Sequence, residues 1–171
     1  MLKTICTIRF LTPLLLFCLT FLLPQPAAAL LQKGVSLPEL SGESMTGEQF
    51  SSNQLQGQWF IIKVGTTWCG SCSRQSKEID DLRSFLSGKN IRYIDIFIQE
   101  SAKKAQRYFD RNGYKKPDII ILDNGKIARQ LNVYPIPRLI LVDKNMRVFR
   151  DGANMSGTEL KAALQAMLAE N

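Results

Sequence analysis

Thr66-Thr67-Trp68-Cys69-Gly70-Ser71-Cys72 decides the fold, because it sets two cysteines two residues apart where the backbone pattern changes. Before it, Trp59-Phe60-Ile61-Ile62-Lys63-Val64 is aromatic and β-branched, the composition of a buried strand. After it, the stretch Ser73 to Leu86 places Ile79, Leu82 and Leu86 at helical spacing beside Phe85, which predicts a helix with Gly88 as its stop. The cysteine pair therefore belongs where a strand turns into a helix.

That location carries chemistry. The first turn of a helix presents free N–H groups and the positive end of the macrodipole, so a thiolate at Cys69 is stabilised and its pKa lowered. Cys72, one turn in, is more shielded and suited to resolving a mixed disulfide. Thiol–disulfide exchange needs this asymmetry of an exposed attacker and a nearby second thiol. Half of a zinc site is the other meaning of the spacing. The chain holds no His, so a four-ligand site would need carboxylates or a second chain, and no metal and no cofactor beyond a Cys69–Cys72 disulfide is expected.

Trp68-Cys69-Gly70-Ser71-Cys72 after a hydrophobic strand resembles the active site of thioredoxin-like proteins, and the rest of the chain narrows the resemblance to the extracytoplasmic TlpA/ResA/CcmG type. The fold this implies is α/β: a central mixed sheet flanked by helices, with an N-terminal hairpin extension and a central helix–strand insert.

Residues 1–29 read as a secretory signal peptide and 30–171 as the thioredoxin-like domain. Lys3 and Arg9 make a positive start, Leu14 to Leu23 an uncharged apolar core, and Ala27-Ala28-Ala29 a cleavage site. An uncleaved anchor on the outer face of the inner membrane is the alternative to a periplasmic or secreted protein. Phe17 before Cys18 does not resemble a lipoprotein box. Cleavage leaves 142 of the 171 residues, enough for one domain, and removes Cys6 and Cys18. The remaining pair would then lie where disulfides persist, and so short a loop staples little, which favours redox work.

The domain keeps a net charge of about +5. Lys103, Arg107 and Arg111 recur on one predicted helix face, joined by Lys104, Lys115 and Lys116. A solvated face is the plain reading; docking to an acidic partner or an anionic membrane is the other. Nothing in the chain resembles a nucleic-acid motif, so no nucleic-acid partner is expected.

Leu30 to Gln58 is polar and turn-rich, predicting a short hairpin packed on the main sheet. Ile91 to Ile98 is the second central strand, and Ser101 caps a helix to Asn112-Gly113 with Ala102, Ala105, Tyr108 and Phe109 facing inward. Pro117 to Asp123 is a short strand, followed by a short helix through Ile127 and Leu131. This helix and strand resemble the insert of the TlpA/ResA group. Leu139 to Asp143 and Arg147 to Arg150 are the closing strands, and Ser156-Gly157-Thr158-Glu159 is a capping box opening a last helix.

Asn132-Val133-Tyr134-Pro135-Ile136-Pro137-Arg138 is the second functional stretch. The resemblance implies a cis Pro137 against the cysteines, with the Ile136 backbone free to bind an extended substrate strand; Pro135 is the other candidate for the cis bond. It also implies that Trp68 shields one side of the site, with core filler as the plain alternative.

Three positions depart from the family. Lys63 stands where thioredoxin buries an Asp; an ammonium there is expected to snorkel or sit out of register, and otherwise to stabilise a thiolate at Cys72. Gln75 stands where ResA and CcmG have an acidic residue, which weakens a cytochrome-maturation role. Ser71 replaces the proline of thioredoxin, implying a less reducing pair.

The function this implies is an exported thiol–disulfide oxidoreductase, a reductant acting on periplasmic protein thiols or disulfides with electrons from a membrane thiol reductase. Cys69 and Cys72 are catalytic; Trp68, Gly70, Ser71 and Lys63 shape the site; Ile136 and Pro137 bind substrate. The alternatives are a thiol peroxidase, since Thr66 to Cys69 has T-x-x-C spacing, and a non-enzymatic Cu(I) carrier, which the absence of His disfavours.

Overall fold

The computed structural model describes residues 30–170, so the signal segment read at 1–29, with Cys6 and Cys18, lies outside the described residues. A hairpin of β1 (Ser41–Ser44) and β2 (Gln49–Ser51) leads to β3 (Trp59–Gly65). Helices α1 (Gly70–Asp81) and α2 (Arg83–Gly88) follow, then β4 (Ile91–Ile98), α3 (Ala102–Asn112), β5 (Ile119–Asp123) and α4 (Lys126–Gln130). Strands β6 (Arg138–Val142) and β7 (Val148–Gly152) and helix α5 (Gly157–Ala169) close the chain.

All seven strands form one mixed sheet in the order β2-β1-β5-β4-β3-β6-β7. Strands β3, β4 and β5 run parallel, and β6 is antiparallel to β3. The N-terminal hairpin does more than pack on the sheet, because β1 pairs antiparallel with β5 and extends it. The insert supplies the strand that makes this pairing possible.

Alternation along the strands splits the core. Phe60, Ile62, Val64, Ile94, Ile96 and Ile140 point to the face covered by α4 and the N-terminal extension. Ile61, Tyr93, Leu139 and Leu141 point to the opposite face, against Ile79 of α1, Leu86 of α2 and Leu160 and Leu164 of α5. Phe97 continues that second face into a cluster with Ala105, Tyr108 and Phe109 of α3.

Two local expectations are corrected. The helix that opens at the cysteines is broken at Leu82, whose φ of −93° and ψ of 5° end α1 before α2 starts. The break turns α2 so that Leu86 and Ile79 both reach the core. Ala102 is exposed, since α3 meets the sheet only from Ala105 onward. The cap at Ser101 and the left-handed Gly113 at the other end stand as read.

Candidate active site

Strand β3, paired on both sides in the sheet, delivers the site at its C-terminal end. Its last residue, Gly65, lies against Cys72: a Cβ added there would come within 2.8 Å of the Cys72 sulfur. The strand therefore ends in the residue that leaves room for the second cysteine. Sequence reasoning passed over Gly65, and its place before the motif was the available signal.

Cys69 is the N-cap of α1, and its Sγ accepts the Cys72 amide at 3.1 Å. The sulfur thus occupies the position at which a helix start binds negative charge. The Ser71 hydroxyl lies 3.2 Å from the same sulfur. Cys69 and Cys72 are joined in a disulfide with their Cα atoms 5.2 Å apart. Cys69 is less open than expected, with 8% of its surface exposed, but Cys72 has none, so the asymmetry between attacker and resolver holds.

The Ile136–Pro137 peptide is cis, which selects Pro137 over Pro135. Pro137 is buried and Ile136 half-buried. The loop meets the cysteines through Ser71, whose hydroxyl approaches the Ile136 carbonyl at 3.5 Å. Register between β3 and β6 stops at Val64 opposite Arg138, so the Ile136 backbone makes no hydrogen bond to the sheet.

Trp68 is 76% exposed, which removes the core-filler reading. It stands beside a groove also lined by Thr67, Lys104, Arg107 and Arg111. Glu100 fixes this side of the site by accepting the Thr67 hydroxyl at 2.7 Å and its amide at 3.2 Å. Gln75 is buried and accepts the Met155 amide at 2.7 Å, tying α1 to the start of α5.

Lys63 neither snorkels nor slips out of register. It is wholly buried; its Nζ is 2.9 Å from Asp95 Oδ2 and donates to Ser76 Oγ at 2.7 Å. Lys63 and Asp95 are direct neighbours in the β3–β4 register, which puts both side chains on the face beneath α1. The Tyr93 hydroxyl donates to Asp95 at 3.1 Å, and the rings of Phe97 and Tyr108 lie 5.2 and 5.8 Å from the ammonium. An ammonium at this depth needs a carboxylate and ring faces to offset lost hydration. Burial holds the Asp95 carboxyl above its ordinary value, opposed by Lys63. Burial, with Asp95 nearby, pushes Tyr93 well above the usual phenol value, and burial pushes Tyr108 up to about 12.

The comparisons agree with this geometry. Residues 34–150 match the AhpC/TSA family. A thiol-disulfide oxidoreductase ResA of Geobacillus kaustophilus is 22% identical over 115 residues, covering 67% of this chain and 66% of that protein, just under two thirds of its length. A second ResA, from Bacillus thuringiensis, is 23% identical over 139 residues, covering 81% and 78%. The crystal structure of a putative thiol:disulfide interchange protein DsbE from Chlorobium tepidum superposes with a TM-score of 0.72 at 18% identity, over 81% of this chain and 99% of that one. The fold is thioredoxin-like.

Proposed function

From a chain that belongs to the AhpC/TSA family, we propose a thiol–disulfide oxidoreductase that reduces protein disulfides outside the cytoplasm. The observation that carries the reading is the Cys69 sulfur at the N-cap of α1, 3.1 Å from the Cys72 amide, above a wholly buried Cys72. The helix start stabilises the Cys69 thiolate, which does without a histidine base.

In the reduced protein, the Cys69 thiolate attacks one sulfur of the substrate disulfide, forming a mixed disulfide and releasing a substrate thiolate. The Cys72 thiolate then attacks the Cys69 sulfur, and the second substrate thiolate leaves. Two electrons pass to the substrate and the Cys69–Cys72 disulfide is formed. A membrane thiol reductase returns the protein to the dithiol. Ile136 offers a backbone that makes no hydrogen bond to the sheet to the extended substrate beside Pro137, as in strand addition. Gly70 and Ser71 open the first turn of α1, with the Ser71 hydroxyl 3.2 Å from the attacking sulfur, and Trp68 bounds one side. Lys63 positions the helix through Ser76.

Export rests on the N-terminal sequence, and the redox role fits a compartment where disulfides persist. The test is a trapping experiment: Cys72→Ser accumulates a mixed disulfide with a disulfide-bonded substrate, seen as a band lost on reduction, while Cys69→Ser accumulates none. A potential in redox buffer near about −270 mV fits a reductant; one near about −120 mV replaces that reading with an oxidant. Consumption of hydrogen peroxide at catalytic rates would instead make the protein a thiol peroxidase.

A further inference from the structure

The groove beside Trp68 has a charge pattern that dithiol chemistry does not require. It encloses about 730 Å³ and is lined by Thr67 and Trp68, the chain neighbours of Cys69, and by Lys104, Arg107, Asp110 and Arg111 of α3. The α3 residues reach it because Ala105, Tyr108 and Phe109 bury the opposite side of that helix. Lys104 is engaged, 3.4 Å from Glu100, and Asp110 keeps its charge while accepting the neutral Gln106 amide at 2.6 Å, so the lining carries one carboxylate against the two arginines. Arg107 and Arg111 are exposed and make no ion pair among the described residues. Two free guanidiniums thus face a concave site next to the attacking sulfur.

We propose that this groove is a specificity subsite for the partner protein, binding an extended segment with Asp or Glu side chains close to the cysteine under attack. The proposal rests on the oxidoreductase reading and adds the class of substrate. Guanidinium forks match carboxylates, and the exposed indole of Trp68 offers a face for the apolar part of the segment. Concavity argues for a chain over a lipid surface, since a bilayer meets projecting charges and cannot enter a groove. Glu100 links the two walls, holding Thr67 on one side and Lys104 on the other.

The test uses the pre-reduced protein in single turnover on disulfide-bonded peptides that differ only in residues flanking the cysteine: Glu, Gln or Lys. The rate constant for the Glu peptide exceeds that for the Gln peptide by about three- to tenfold at low ionic strength, as two exposed ion pairs allow. The ratio falls toward one in about 1 M salt, where screening reaches only about 3 Å. In Arg107→Gln/Arg111→Gln it falls toward one without salt, and in Arg107→Glu/Arg111→Glu the Lys peptide becomes the faster. Ratios are taken within each variant, so a general change in thiol reactivity or a partly folded sample cancels. Equal Glu and Gln rates in the unaltered protein overturn the proposal, as does a preference that survives in both double variants. Loss of binding to phosphatidylglycerol–phosphatidylcholine vesicles in the double variants, with no peptide preference, also overturns it and assigns the groove to membranes. Reduction of neutral 2-hydroxyethyl disulfide separates the two readings: if the unaltered protein does not reduce it, the oxidoreductase reading has failed; if it does, only the subsite is in question.

Discussion

Lys63→Met tests whether the buried pair beneath the site is as the structure draws it. The substitution keeps a long side chain but removes the ion pair at 2.9 Å and the bond to Ser76 at 2.7 Å, leaving Asp95 with the Tyr93 hydroxyl alone. Breaking one side of a buried pair costs about 3–5 kcal/mol, out of about 5–15 kcal/mol for a whole domain. With a urea slope of about 2 kcal/mol/M, the unfolding midpoint drops by about 2 M. The sign with pH follows from Asp95. Its carboxyl is already raised by burial against the pull of Lys63, and it rises further when that pull is gone. A carboxyl raised in the folded state retains its full contribution below the unfolded value of about 4 and loses it as pH rises through the folded value. The deficit of Lys63→Met is therefore smallest near pH about 4 and widens toward pH about 8. Replacing the partner as well, in Lys63→Met/Asp95→Leu, removes the orphaned carboxyl and recovers more than half of the loss. Urea titrations of the three proteins at several pH values give the answer. A single variant with an unshifted midpoint at pH about 8, or a double variant no more stable than the single one, refutes the pairing.

Gly65→Ala puts a Cβ within 2.8 Å of the Cys72 sulfur, and the overpacking costs about 1–3 kcal/mol; thermal unfolding should fall by several degrees, and a Tm within about 1 °C of the parent would show that the strand yields freely. Above pH about 10 the protein should lose stability, because Tyr93 and Tyr108 keep their protons in the folded state to higher pH while the unfolded chain ionises them. The slope is at most about 1.4 kcal/mol per pH unit for each tyrosine, and Tyr108→Phe should flatten it; an identical alkaline slope in that variant counts against the raised pKa.

Much of the fold was written in neighbouring residues. The strand before Cys69, the run Ile91 to Ile98, the Ser101 cap and the capping box of α5 are local patterns, and each formed where the sequence placed it. The cysteine pair was equally legible, since its chemistry needs only the spacing and the helix start that follows. The Leu82 break was not, because Ile79, Leu82 and Leu86 fit one continuous helix as well as two short ones, and packing chose between them.

Lys63 marks the boundary between the two kinds of information. Read alone, a lysine in a hydrophobic strand is costly, and expelling it to water is the cheapest local answer. Asp95 lies in a different strand, and only the parallel register of β3 with β4 sets the two opposite each other. The same holds for Trp68 and the cations of α3: the periodicity of Lys103, Arg107 and Arg111 was visible, but not that Arg107 and Arg111, with Lys104 and without Lys103, would line a groove beside the active-site loop. The sequence by itself determined the dithiol, its helix and the class of fold, because these depend on residues a few positions apart. The tertiary structure decided which charges are paired and which are free, because a charge's energy depends on what surrounds it in space.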